Sequence, residues 1–410
     1  MNQVLEFDEA LAVVLREATA LRHSDAVERH PLLECLGRVL AEPVVADRDQ
    51  PGFDRSTRDG FAVRAADASA GRAMRVQGLV RAGEQWEGLL EAGAAIEIMT
   101  GAPLPKGADA VLMVEHVERG DGSIRLAEGR GICAGENIVP KGSEAQAGDV
   151  LLPVGTELGA AEIALAAACG WAEPKVFARP KVAIVATGDE LVEIGQAPAA
   201  HQIRNSNSYG IAALVTQAGG WPGRLQVARD RREELWERVA QGRMWDLLVF
   251  SGGVSMGKYD LVDEVLAESG AEFFFTGVKM QPGKPVVFGR LPERDGVREC
   301  YFFGLPGNPV STQVTFQCFV GPMVRALAGA AVEGPRFVQA TLGEDVAGKA
   351  GLTRLLPARL TGHRVRPEVK LVGWQGSGDL AANARANCYA VLPAEGRNLG
   401  KGEMISVLLQ

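Results

Sequence analysis

Apolar residues recur about one helical turn apart in the opening stretch LEFDEALAVVLREATAL, and this spacing predicts helix over residues 6–46. Between residues 47 and 140 the period changes. Short β-like runs (AMRVQGLV, AIEIMT, AVLMVEHVE) alternate there with glycine-rich turns, the pattern of a small β domain. TELGAAEIALAAACG then restores the helical spacing. Helical segments on both sides predict one helical or linker domain, built from 1–46 and 141–178, into which the β domain is inserted. From residue 179 strand-like and helix-like runs alternate: KVAIVA, NSYGIAALVTQAGG, WPGRLQVARD, RREELWERVAQG, DLLVF, YDLVDEVLAESG, EFFFTGVKM, PVVFGRL, CYFF and PVSTQVTFQCFVGPMVRALAG. Continuous apolar strands between amphipathic helices indicate a doubly wound α/β domain over 179–330. Past residue 331 the helical signal ends, and about five short strands predict a small β-barrel or sandwich over 331–410. The fold class expected is therefore multidomain α/β plus β.

Composition narrows the function classes. With 47% hydrophobic and 23% charged residues, the 410-residue chain has ample material for several buried cores. A formal charge of -8 argues against broad electrostatic binding to nucleic acid or an anionic membrane, so an anionic ligand needs a local site. The six Cys lie far apart without a C-x-x-C, and the five His lack metal-ligand spacing, which disfavours zinc and a disulfide framework. The N-terminal stretch is acidic and amphipathic, and no apolar run approaches a membrane span, so a cytoplasmic location is expected.

Three strands of the α/β segment run into unusual turns: VATGDEL (185–191), VFSGGVSMGKYD (249–260) and FFGLPGNPVS (302–311). In open parallel sheets ligands bind outside the carboxyl ends of the strands, so these turns are expected to meet at one crevice. Glycine lets backbone approach a ligand closely, and a helix start offers donors to phosphate. Asn308 suits an N-cap and Pro309 a first helical residue, so GLPGNPVS is expected to form an anion-facing helix start. GGVSMGKY (252–259) comes close to the phosphate loop G-x-x-x-x-G-K-[ST], but Tyr259 replaces the magnesium-binding hydroxyl, which argues against a P-loop nucleotidase. Asp189, Glu190, Asp230 and Asp260 follow the first three strands and suit Mg²⁺ held against substrate phosphates; Asp230 and Asp260 read equally well as helix N-caps. KMQPGKP (279–285) presents Lys279 and Lys284 around a Pro-Gly turn, either an oxyanion grip or a solvated basic hairpin. Asp59-Gly60 in STRDGFAV reads as a turn or a catalytic acid, and Ser377 in GWQGSGDLAANARANCY reads, by pattern alone, as part of an ordinary polar loop.

Taken in order, STRDGFAV, MTGAPLPKGADAV, VATGDEL, SGGVSMGKYD, PGKP, GLPGNPVS and QGSGDL…ANC span residues 56 to 388, and the chain closely resembles the molybdopterin molybdenumtransferase family, the bacterial MoeA type related to the E domain of gephyrin. The resemblance implies an enzyme that takes adenylylated molybdopterin and molybdate, inserts the metal at the dithiolene and, using Mg²⁺, releases AMP together with molybdenum cofactor. It implies an elongated homodimer of four-domain subunits, with molybdopterin adenylyltransferase and apo-molybdoenzymes as further partners. Gly188, Ser251, Gly252, Gly253, Ser255, Pro306, Gly307, Asn308 and Pro309 then hold the pterin and its phosphates, and Glu190, Asp230 and Asp260 are the functional acids and metal ligands. Asp59 and Thr100 reach the cleft from the partner subunit, and Lys284 with Ser377 binds molybdate. This chain departs from the pattern at Gln281, where some relatives carry Lys, at Glu144, often Asp, and at Pro357, Arg in some members, with Arg354 or Arg359 as substitutes. The rival readings are another nucleotide enzyme, such as an adenylyltransferase, and a scaffold protein.

Overall fold

KVAIVA lacks polar alternation because both faces of its strand are covered. In the computed structural model, which describes residues 3–21, 26–253, 261–294, 296–363 and 366–410, this run forms β1 (Lys181–Ala186). Val182 and Ile184 face one apolar core, Ala183 and Val185 another, and all four are fully buried. The chain continues through α1 (Asn207–Gln217), β2 (Trp221–Arg224), α2 (Arg232–Gly242), β3 (Leu247–Ser251), α3 (Leu261–Glu268), β4 (Glu272–Phe275), β5 (Val287–Leu291), β6 (Cys300–Leu305) and α4 (Pro309–Thr315). Ile211 and Val215 of α1 pack against the first face, Leu235 and Val239 of α2 and Val265 of α3 against the second. The sheet order is β2-β1-β3-β6-β5-β4, parallel across its first four strands and antiparallel beyond β6. After β1 the chain steps outward to β2 and then crosses to β3 on the other side. The strand order therefore reverses between β1 and β3, the place where open α/β sheets bind ligands.

Residues 331–410 close into a barrel. Thr353–His363 pairs with Arg366–Leu371, that strand with Phe337–Leu342, then with Met404–Leu409 and Cys388–Leu392, which returns to Thr353–His363. Its interior is lined by Ala340, Leu342, Leu356, Ala358, Val369, Ala390 and Val407. The inserted segment holds a sheet of strands Ala110–Met113, Gly60–Val63, Ala94–Ile98, Met74–Val80, Ser123–Leu126 and Val117–Gly120, in that spatial order among the described residues.

Among the described residues, the helix expected over 6–46 is confined to Phe7–Ala20 and one short 3-10 turn at Leu32–Cys35. Pro31, Gly37 and Pro43 break the helical period between residues 26 and 46. Val27–Arg29 instead pairs antiparallel with Lys175–Phe177, and Val44–Val45 with Val150–Leu152, which joins the two chain segments flanking the insertion. The helix Phe7–Ala20 buries Phe7, Ala10, Val14 and Ala18 in the same core as β1 and β6, so it packs on the α/β layer rather than with residues 141–178. Spacing reveals an apolar stripe, not the surface that covers it. GWQGSGDLAANARANCY also carries more order than its loop reading: Leu380–Arg385 is a short helix, with Asp379 Oδ1 accepting from the Ala382 amide at 2.9 Å.

Candidate functional site

The register of the central strands brings three turns to one rim. Ala186 is level with Ser251, and Ser251 with Leu305, so the residues after β1, β3 and β6 emerge side by side. They surround a crevice of about 790 Å³ whose walls include Gly188, Glu190, Asp230, Ser251, Gly252, Gly253, Pro306, Gly307, Asn308 and Pro309. Those ten residues, far apart in sequence, are brought together. Ser255 and Asp260, with Lys258 and Tyr259 of the glycine-rich stretch, lie outside the described residues.

Backbone bonds hold the rim rigid. Thr187 N–H donates to Ser251 O (3.0 Å), Gly188 N–H to Ala228 O (3.1 Å) and Gly252 N–H to Leu305 O (3.1 Å). The amides of Gly188 and Gly252 are thus engaged within the sheet edge, and these glycines act through their compactness. A Cβ at Gly188 would lie 2.5 Å from Glu190 Oε2, so its absence leaves room for the Glu190 carboxylate. In the sequence Asn207 reads only as part of a helix start. Its Nδ2 in fact donates to Ser251 Oγ (2.9 Å) and to Gly307 O (2.7 Å), clasping the second turn to the third. An Asn at the first turn of a helix gives no sequence signal that separates a cap from such a clasp.

The helix start after β6 differs from expectation. Asn308 occupies the N-cap position and Pro309 the first turn, but the Asn308 side chain caps no amide. Val310 N–H donates instead to Ser377 O at 2.9 Å, so the barrel loop occupies that donor. The same bond places Ser377 beside a second depression of about 450 Å³, which Lys284, Ser311, Trp374 and Gln281 also line, and which shares Pro285, Pro306 and Asn308 with the first. Of the two turn lysines only Lys284 faces it. Lys279 is paired with Glu6 of the N-terminal segment, which corrects the idea that both grip one oxyanion. The Gln281 side-chain oxygen is buried with no partner among the described residues, and Gln281 stands level with Arg354, whose guanidinium reaches Ala347 O at 3.2 Å. Pro357 is level with Tyr389, Arg359 donates to Arg385 O at 3.4 Å, and Glu144 pairs with Arg55 at 2.7 Å.

Acidic groups also line the crevice, among them Glu190 and Asp230. Partial desolvation, together with the charges of Asp189 and Glu190, holds the Asp230 carboxyl above its ordinary range. The N-cap of α2 is Arg231, so Asp230 is not a cap and that reading is set aside. Like charges facing one another in a crevice are relieved by a hard cation with oxygen ligands, and the donor set fits Mg²⁺. Among the described residues no cluster of three or more His, Cys, Asp or Glu side chains forms a ready-made metal cage. Mg²⁺ usually rests on one or two carboxylates plus substrate phosphates.

In the inserted domain Asp59 and Thr100 come together: Asp59 Oδ1 accepts from the Thr100 amide (2.7 Å) and hydroxyl (2.8 Å), which hold the Asp59 carboxyl below the usual carboxylate range. Neither residue lines the crevice of its own chain. Among the described residues no helix is long and apolar enough to cross a membrane.

Comparison with known proteins covers the whole chain. Residues 5–170 match the MoeA N-terminal region (domain I and II), 183–326 a probable molybdopterin binding domain, and 339–410 the MoeA C-terminal region (domain IV). A molybdopterin molybdenumtransferase of Staphylococcus aureus (strain COL) is 34% identical over 384 residues, covering 92% of this chain and 90% of that protein. One from Staphylococcus epidermidis is 35% identical over 382 residues, with 92% and 89% coverage. Among solved structures, the molybdopterin biosynthesis moeA protein of Pyrococcus horikoshii OT3 superposes with a TM-score of 0.80 at 28% identity over 100% of both chains. Another solved structure, of a molybdopterin biosynthesis moeA protein from Pyrococcus horikoshii, gives 0.72 at 33% identity over 99% of both chains.

Proposed function

The chain belongs to the MoeA family of molybdopterin molybdenumtransferases, and on that premise we propose that its crevice binds adenylylated molybdopterin and converts it, with molybdate, to molybdenum cofactor and AMP. It is a transferase of molybdenum cofactor biosynthesis. The observation that carries the placement of the site is the convergence of the three turns at one sheet rim. The full-length match to molybdenumtransferases favours this reading over an adenylyltransferase or a scaffold.

In this reading the glycine corners and the Asn207 clasp seat the phosphates between β1 and β3, and Glu190, Asp230 and Asp260 would hold Mg²⁺. Bound there, the ion supplies charge neutralisation for the phosphoanhydride and its departing AMP. The protein's own contribution is positioning: a rigid rim fixes the substrate, and the adjoining depression holds molybdate beside it through Lys284 and Ser377. The shared wall of Pro285, Pro306 and Asn308 supports that adjacency. The test is incubation of the purified protein with adenylylated molybdopterin, Mg²⁺ and molybdate. AMP release with reconstitution of an apo-molybdoenzyme is the expected outcome, whereas pyrophosphate released from ATP would support the adenylyltransferase reading. Lys284→Met is expected to raise the molybdate concentration giving half-maximal AMP release by about tenfold or more, the scale of a lost charged hydrogen bond. An unchanged half-saturation would remove Lys284 from the molybdate site.

A homodimer in which Asp59 and Thr100 complete the partner's crevice is supported by their pairing with each other away from their own. Mixing inactive Asp59→Ala and Glu190→Ala proteins under conditions that exchange subunits should then return about a quarter of wild-type activity, because half the dimers carry one intact site. No recovery, with exchange verified, would place both residues at one site within a chain.

A further inference from the structure

The crevice wall contains a hydroxyl that neither the motif reading nor the family comparison assigns. Thr187 is the first residue past β1, and its backbone is fixed by the Ser251 carbonyl and by pairing with Ala228. The residue is 4% exposed, and Oγ1 is buried without a hydrogen-bond partner among the described residues. An unpaired buried hydroxyl is destabilising and calls for an explanation. Other orphaned groups, such as the Trp86 indole N–H, do not line this crevice; Thr187 does.

Its surroundings point to a ligand. The hydroxyl lies beneath the Gly252–Gly253 turn, where a Cβ at Gly253 would come within 2.7 Å of Oγ1 and one at Gly252 within 3.1 Å. The turn therefore passes close over the hydroxyl, and a side chain at either position would press on it. The neighbouring Ser251 hydroxyl already accepts from Asn207, whereas Thr187 has its full bonding capacity left. A threonine hydroxyl can donate one hydrogen and accept another. Beside a turn that meets a phosphorylated substrate, the fitting partner is an anionic oxygen.

Resting on the proposed function above, we infer that Thr187 is a further substrate-binding residue, donating from Oγ1 to a phosphate oxygen of adenylylated molybdopterin seated against the Gly252–Gly253 turn. Thr187→Val removes the hydroxyl at nearly constant shape, and Thr187→Ser restores it. Binding of AMP and of adenylylated molybdopterin would be followed by calorimetry, with the melting temperature of the ligand-free protein measured alongside. Thr187→Val is expected to melt at or above the wild-type temperature while binding about tenfold more weakly, and Thr187→Ser to bind like wild type. The same loss should appear in KM for adenylylated molybdopterin, with kcat little changed. Wild-type affinity in Thr187→Val would overturn the inference, as would a lowered melting temperature, which would show that the hydroxyl has a partner inside the protein. Failure of the wild-type protein itself to bind either ligand would instead overturn the placement of the substrate in this crevice.

Discussion

Replacing Glu190 by Gln, or Asp230 by Asn, should lower AMP release from adenylylated molybdopterin by about 100-fold or more while leaving the protein folded. Both side chains face the crevice, and Asp230 is held above its ordinary pKa by partial desolvation and by the Asp189 and Glu190 charges. A carboxylate that titrates high in the free protein favours any cation that relieves it. Charge neutralisation of a phosphoanhydride by a bound metal is worth several kcal/mol, and about 2.7 kcal/mol corresponds to 100-fold. The effect on stability has the opposite sign. Because the folded-state pKa of Asp230 exceeds its unfolded value, the stability gained from the proton is complete below the unfolded pKa and is lost as pH rises through the folded one. At neutral pH the ionised Asp230 therefore burdens the native state, and Asp230→Asn should melt no lower than wild type without Mg²⁺. Mg²⁺ should raise the melting temperature of the wild type more than that of the variant. Normal AMP release by either variant at limiting Mg²⁺ would exclude these acids from the reaction.

The parts of this site that sequence reveals are those written in single residues of strong backbone character. Turns after KVAIVA, DLLVF and CYFF could be placed at one sheet edge because continuous apolar runs indicate strands buried on both faces, and parallel strands share a carboxyl rim. Contacts made by ordinary residues across long distances escaped. Asn207 reads as part of a helix start yet bridges two turns, the donor of Val310 is taken by a loop 67 residues later, and Lys279 is diverted to Glu6. The packing of the N-terminal helix on the α/β core escaped for the same reason. Each depends on which surfaces meet, and periodicity carries no information about that.

Gly252→Ala should impair the enzyme nearly as much as losing an acid, by a different route. Gly252 has φ +90°, where a side chain is strained, and its Cβ would lie 2.7 Å from the Thr187 carbonyl oxygen. That neighbour is backbone and is itself fixed, since Thr187 N–H donates to Ser251 O. The strain of such a conformation alone is about 1–3 kcal/mol. Gly252 N–H also donates to Leu305 O, so a shift that relieves the clash moves the end of β3 against β6 and disturbs the turn that Asn207 ties to Gly307. Displacing reacting groups by about 1 Å is enough to cost about 100-fold in rate. Gly252→Ala is therefore expected to lower both the melting temperature and AMP release. Gly307→Ala is the control: no left-handed φ is required there, and the added Cβ would meet Gly252 Cα at 3.6 Å, an ordinary contact. It should fold with wild-type stability. Equal damage from both substitutions would mean that the rim responds to any added bulk, and would refute the argument that the backbone conformation of Gly252 sets the geometry of the crevice.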